Sequence, residues 1–263
     1  MTVTRLALAI VAVLFTHVAA PALAEPLQHA RVIVIDPGHG GDDLGGFGVA
    51  GVAEKHLTLR TSLALRDALL AHDPSLTIVM TREDDTYPEL GDRTTLANGL
   101  EADLFISVHY NWAENELAEG IETFHLDPDG TRPGDVTPGQ SDVGPTVIES
   151  EIGTSGEVVE MIIEDFVRSG ATRRSRGFAL ALQESVIDAV GGVTRGVRQQ
   201  QFRVLRGARM PAVVTELGFL SHAEEGKRVF EPGHQARLVA GLTHGVLAWD
   251  AAQAALAASG ELR

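Results

Sequence analysis

Two histidines and two glutamates are the residues of this chain best placed for chemistry: His39, Glu54, His109 and Glu216. His39 lies in Val32-Ile33-Val34-Ile35-Asp36-Pro37-Gly38-His39-Gly40-Gly41, where four β-branched aliphatics suit a buried strand and the following Pro and Gly stop it in a tight turn. Glu54 opens a helical pattern after the next glycine-rich stretch, and Leu104-Phe105-Ile106-Ser107-Val108 is a second strand that runs into His109. Two imidazoles and one carboxylate form a His₂Glu set that leaves a fourth position for water, the catalytic form of a zinc site. Glu216 lies near the end of a third apolar strand, Pro211 to Ser221, and a half-buried carboxylate beside such a site can take a proton from water and return it to a leaving amine. Each residue also has a plainer reading. His39 could be a solvated turn histidine, Glu54 a carboxylate favoured by the helix dipole, His109 a strand-end core histidine, and Glu216 the partner of Arg203, Arg206 or Arg209.

The elements that must position these residues alternate along the chain. Apolar runs predict strands at 31–35, 76–81, 103–108, 121–126, 202–206 and 212–217, and helical periodicity predicts helices at 54–71, 92–100, 175–190 and 233–257. Phe178, Leu182, Val186 and Ala189 make one apolar stripe that Gly191-Gly192 ends, and Leu238, Val239, Leu242, Val246 and Trp249 make another. The alternation predicts an α/β fold, a single domain with a mainly parallel, twisted six-stranded sheet and helices on both faces. The metal residues then converge at one edge of the sheet.

Almost fifty residues separate the strand ending near Leu126 from the helix beginning near Ser175, starting with the Pro/Gly/Asp-rich run Asp127 to Asp135. A loop of that length is usually functional or disordered. Within it, Glu157 to Val167 has apolar residues at helical spacing and predicts an amphipathic helix.

Composition bounds the rest. At 263 residues with 44% hydrophobic content the chain can bury a full α/β core. A formal charge of −15 argues against a nucleic-acid partner, since phosphate binding needs basic surface. With no cysteine, disulfides and thiolate metal sites are excluded, so a metal must use imidazole and carboxylate. Residues 1–24 have Arg5, an apolar run from Leu6 to Phe15 and Ala22-Leu23-Ala24 before Glu25, the pattern of an export signal. The alternative is an N-terminal anchor, although the apolar run is shorter than the roughly 20 residues a spanning helix needs. No other segment could span a bilayer.

In sequence order, Asp36-Pro37-Gly38-His39-Gly40-Gly41, Glu54, Thr81-Arg82-Glu83-Asp84 with Arg93 and Ala97-Asn98, Ser107-Val108-His109-Tyr110-Asn111, Gly120-Ile121-Glu122 and Glu216-Leu217-Gly218-Phe219-Leu220-Ser221 resemble the zinc-dependent N-acetylmuramoyl-L-alanine amidases of the AmiA/AmiB/AmiC and CwlV type. The resemblance runs from about Arg31 to about Trp249 and departs at Tyr110, where Ala is commoner, and at His222, where Asn is commoner. It implies one Zn2+ per chain held by His39, Glu54 and His109, with Glu216 as the catalytic glutamate. It implies hydrolysis of the amide between N-acetylmuramic acid and L-alanine of peptidoglycan, in the periplasm, for wall remodelling and daughter-cell separation. The implied organisation is a signal peptide at 1–24 and a catalytic domain at 25–263, with a core of about 31–252. Some members of that family hold a helix from the corresponding insertion over the zinc until a periplasmic activator at the division site displaces it. Here the insertion, about 127–172, offers Glu149, Glu151 and Glu157 as blocking carboxylates. The competing functions are another zinc-dependent cell-wall peptide hydrolase, carboxypeptidase-like, and a non-catalytic wall-binding regulator.

Overall fold

A computed structural model of the chain describes residues 25–126 and 155–260. Its strands are β1 (Val32–Pro37), β2 (Thr77–Met80), β3 (Leu104–Asn111), β4 (Ile121–Leu126), β5 (Thr194–Gln200) and β6 (Ala212–Phe219). They form one six-stranded sheet in the order β2-β1-β3-β6-β4-β5. All neighbours pair in parallel except β4 and β6, so the expected mainly parallel α/β sheet is what the chain builds.

Strand alternation divides the core. Ile33, Ile35, Leu104, Ile106, Val108 and Val213 face a layer made by α1 (Glu54–His72), α3 (Ser155–Val190) and α5 (Pro232–Ser259). Val34, Phe105, Phe124 and Val214 face the other way, onto Ala97 of α2 (Leu90–Gly99) and onto Phe202, Val204, Leu205 and Met210. A short α4 (Glu225–Arg228) follows β6. Helices α3 and α5 meet closely because α5 has glycines where they touch: a Cβ on Gly241 or Gly245 would lie 2.7 Å from the Cα of Val186 or Leu182. The rings of Phe178 and Trp249 meet edge to face with centroids 5.7 Å apart across the same seam.

Two expected elements differ from the observed ones. The strand expected at 202–206 lies earlier, at Thr194–Gln200, and Arg203–Leu205 is a 3-10 turn. Its sequence, Thr-Arg-Gly-Val-Arg-Gln-Gln, belongs to an edge strand with one aliphatic residue and no alternation to read, whereas Phe202, Val204 and Leu205 are apolar because they plug the α2 face. The helix expected at 175–190 begins twenty residues sooner and takes in the stretch expected to form a separate helix. No proline interrupts Glu157 to Phe178, and the polar Arg168 to Ser175 hides the continuity by lacking an apolar stripe. Glycine ends the helix as expected, with Gly191 at φ 69° and its N–H donated to the Ile187 carbonyl at 2.8 Å.

The end of β1 is fixed by a buried carboxylate. Asp36, with no exposed surface, accepts hydrogen bonds from Thr81 Oγ1 (2.5 Å), Ser107 Oγ (2.6 Å) and Arg93 NH1 (2.9 Å). Arg93, itself buried, also donates to the carbonyls of Pro37 and His39 at 3.1 and 3.2 Å, and Arg82 donates to those of Pro37 and Gly38 at 3.0 and 2.7 Å. Two guanidinium groups thus occupy the carbonyls of the turn that carries His39. Burial alone would raise the Asp36 pKa, but Arg93 and the Ser107 and Thr81 hydroxyls outweigh it and hold the carboxyl below its ordinary value.

Arg93→Met removes the cation and leaves a buried charge, and it is expected to cost about 3–5 kcal/mol in urea unfolding. A group whose folded pKa lies below its unfolded value contributes stability that is present above the unfolded value and lost as pH falls. Unfolding free energy is therefore expected to fall as pH drops below about 4, and less steeply in Asp36→Asn. An unaltered acid slope in that variant would remove Asp36 from the acid transition.

A candidate metal centre at the carboxyl ends of the strands

The turn after β1 carries His39 in the left-handed region, φ 61°, followed by Gly40 at φ 128° and Gly41 at φ 53°. A non-glycine residue there is strained and persists where surrounding bonds hold it. Here they are the Arg93 bond to its carbonyl and a bond between its Nδ1 and Asp43 Oδ2 at 2.9 Å. Asp43 is in turn held through Oδ1, which accepts the Gly45 N–H at 3.1 Å. With Nδ1 engaged, Nε2 of His39 faces Glu54 Oε1 at 3.1 Å.

Glu54 sits in the first turn of α1, 3% exposed. Its Oε2 accepts the Gly46 N–H at 2.8 Å, and its Oε1 accepts the Tyr110 N–H at 2.9 Å while lying 3.2 Å from Nδ1 of His109. One carboxylate oxygen thus lies between the two imidazoles. The candidate ligand atoms of His39, Glu54 and His109 all fall within 4.8 Å of one another, and among the described residues this is the one such group. Glycines make the room. A Cβ on Gly38 would lie 2.2 Å from the His109 ring, and one on Gly45 would lie 2.6 Å from His39 and 2.7 Å from Glu54.

The charge of the group is that of a cation site. Burial disfavours protonated His39, but Glu54 and Asp43 outweigh it and push the ring up to about 11, while the histidines hold Glu54 far below the usual carboxylate range despite its burial. Two nitrogens and a carboxylate oxygen are the donor set zinc takes, and a metal cation would replace the proton that the carboxylates now keep on His39.

Glu216 completes the expected set. Its Cα pairs with that of His109 in the β3–β6 ladder, so the two side chains stand next to each other on one face, and Glu216 is 2% exposed. On its other side Glu216 pairs with Glu122 of β4. The His109 and Glu216 face is the one that, one strand turn earlier, is apolar with Phe105 and Val214. The sheet face is thus apolar at its start and polar at its end.

Neither sequence departure touches this row. Tyr110 points to the opposite face, where its hydroxyl bonds with Thr61 of α1 and Gln235 of α5, both at 2.8 Å; burial pushes its pKa up to about 12. His222 Nδ1 accepts the N–H groups of Glu224 and Glu225 at 3.3 and 3.1 Å, as an asparagine oxygen would, at the start of α4. Sequence reasoning passed over Asp43, whose legible feature was a carboxylate four residues past His39, and Glu225, which accepts the N–H groups of Phe219 and Gly120 and so joins β6 to the start of β4. Glu149 and Glu151 lie outside the described residues, as does the side chain of Glu157.

A profile of the N-acetylmuramoyl-L-alanine amidase family, Amidase_3, matches residues 33–248, which includes all four site residues. The chain belongs to that family. AmiA, the N-acetylmuramoyl-L-alanine amidase of Escherichia coli K12, is 27% identical to this Amidase_3 chain over 225 residues, 83% of this chain and 76% of AmiA. The sporulation-specific N-acetylmuramoyl-L-alanine amidase of Bacillus subtilis 168 is 30% identical over 197 residues, 75% of this chain and 59% of that protein's length. The catalytic domain of CwlV from Bacillus (Paenibacillus) polymyxa var. colistinus superposes with a TM-score of 0.63 at 29% identity, covering 83% of this chain and 97% of the other. The six-stranded sheet is therefore the amidase fold.

Because Gly38 yields its side-chain volume to His109, Gly38→Ala is expected to displace that ring and cost about 1–3 kcal/mol in thermal unfolding. A crystal structure of the variant with His109 unmoved would show that the close approach is unimportant.

Proposed function

We propose that this chain hydrolyses the amide between the lactyl group of N-acetylmuramic acid and L-alanine in peptidoglycan, with one zinc ion held by His39, Glu54 and His109. The observation that carries the reading is the convergence of two imidazoles and a buried carboxylate, with Glu216 in register beside them, in an Amidase_3 chain. Zinc bound there supplies Lewis acidity, which polarises an amide carbonyl and acidifies water. The protein supplies the rest. Asp43 fixes the His39 ring so that Nε2 faces inward, and the N–H groups of Gly46 and Tyr110 hold Glu54 from both ends. Glu216 takes a proton from the attacking water and delivers it to the departing alanine nitrogen. The carbon–nitrogen bond breaks, leaving a carboxylic acid on the lactyl group and a free amine on the peptide.

Cutting sugar from peptide loosens the wall, which suits remodelling and daughter-cell separation. Residues 1–24 read as an export signal and the periplasm as the destination, with 25–263 as the catalytic domain. No helix of the described residues is long and apolar enough to cross a membrane. The acidic insertion, with Glu149, Glu151 and Glu157, is the segment on which an activator protein would act, a reading that rests on the sequence resemblance.

Digestion of purified sacculi with and without a chelator, with mass analysis of the released material, tests the reaction. Sugar-free peptides beginning with L-alanine are expected, and only without chelator. Peptides trimmed from their carboxyl ends with the lactyl amide intact would instead identify a carboxypeptidase.

His39→Ala and His109→Ala are each expected to lose most bound zinc, and Asp43→Asn to weaken zinc binding by about 10–100-fold. Elemental analysis and chelator competition read both effects, and full occupancy in the two histidine variants would sink the site.

Glu216→Gln is expected to keep its zinc and lose about 10²–10⁴-fold in turnover. Near-normal hydrolysis by this variant would take Glu216 out of the mechanism.

A further inference from the structure

The polar row that starts at His109 does not stop at Glu216. It continues across the sheet through Glu122 of β4 to Gly196 of β5, each the register partner of the one before. Two arginines flank Gly196, and both turn back onto Glu122: Arg195 Nε lies 3.0 Å and Arg198 Nε 3.2 Å from Glu122 Oε2. The other oxygen, Oε1, accepts Asn111 Nδ2 at 2.6 Å. Arg195 is further fixed by the Phe219 ring, whose centroid is 4.9 Å from its guanidinium carbon.

One buried carboxylate therefore holds two guanidinium groups, leaving one net positive charge in a chain of formal charge −15. Glu122 is 5% exposed at its side chain, whereas Arg195 is 30% and Arg198 48% exposed, so the cations reach solvent and their anchor does not. Arg195 donates its Nε to the anchor, whereas Arg198 Nε donates to the Arg195 carbonyl at 3.4 Å while lying in ion-pair range of Glu122. The two terminal nitrogens of each arginine make no hydrogen bond to a described residue, which leaves two parallel donors per guanidinium, the arrangement that matches a carboxylate.

We infer that Arg195 and Arg198 form a carboxylate-binding subsite for the peptide arm of the substrate, an inference that rests on the amidase reading. Because both contact Glu122, the guanidinium groups lie about two interstrand spacings, ~10 Å, from the strand that carries His109. An extended peptide rises about 3.3–3.6 Å per residue, so the subsite meets a carboxylate roughly three residues beyond the cut amide. Binding there draws the peptide along the row over Glu216 and sets the scissile bond at the metal group. Glu122 is the positioning residue that aims both arginines.

The test compares a synthetic muramyl tripeptide carrying free carboxylates with its carboxamide counterpart, using the zinc-loaded protein. The wild type is expected to prefer the acid by about tenfold in kcat/KM, mostly through KM, and this preference is expected to fall to near one in Arg198→Gln and to return in part in Arg198→Lys. Arg198 is half exposed, so its substitution leaves the core untouched. Calorimetric binding of the free acidic peptide, without the sugar, is measured alongside and is expected to weaken by a similar factor in Arg198→Gln. Equal peptide affinity in wild type and Arg198→Gln, or an acid preference that survives the substitution, overturns the subsite. A wild type that binds the peptide more tightly than the variant but hydrolyses neither muramyl substrate would instead overturn the amidase reading and leave the subsite standing.

Discussion

The structure hangs on the Asp36 carboxylate. Parallel strands cannot be joined by hairpins, so β1, β2 and β3 are held by ladder bonds, by the apolar layers they share and by what their side chains add at the ends. Asp36 adds a bond to Thr81 just past β2, one to Ser107 in β3 and one to Arg93 in α2. The order of cause runs outward from there. Arg93 is brought in by Asp36 and, once present, takes the carbonyls of Pro37 and His39; Arg82 takes those of Pro37 and Gly38; and the strained backbone of His39 has no freedom left. A buried charge is costly alone, and here its cost is offset because the same contacts impose the turn that the chemistry needs.

The division of one sheet face into an apolar start and a polar end follows from the same economy. Val34, Phe105, Val214 and Phe124 give way two residues later to Asp36, Ser107, Glu216 and, in antiparallel β4, Glu122. The single antiparallel pairing, between β4 and β6, makes this possible. Because β4 runs against β6, its first residues, not its last, reach the site end of the sheet, and Glu122 arrives beside Glu216 from the opposite direction.

Much of this was legible in the sequence, and for identifiable reasons. Strands such as Val32 to Ile35 are buried on both faces and read as unbroken aliphatic runs, and the Pro-Gly-His-Gly-Gly turn marks where the first one ends. Glu54 and His109 were legible because each is a polar residue at the boundary of a strong pattern. Strand β5 was not, since an edge strand that carries the two arginines has no buried face to write into its sequence. Asp43 was not, because its partnership with His39 depends on a left-handed backbone that residue types alone do not announce. The continuity of α3 was hidden by a polar stretch in its middle, while its C-terminal half was plain from Phe178, Leu182 and Val186.

The opposite aim of His109 and Tyr110 has a consequence for how this protein reaches its active form. Adjacent residues of a strand face opposite layers, so a slip of β3 by one residue would send the imidazole among α1 and α5 and bring a phenol to the metal group. A misregistered chain would lose the Ser107 bond to Asp36 as well as the imidazole beside Glu54. A cation held by His39, Glu54 and His109 would therefore double as a proofreading step in assembly, because it would stabilise the one alignment of β3 in which the histidine, and not its neighbour, faces Glu54.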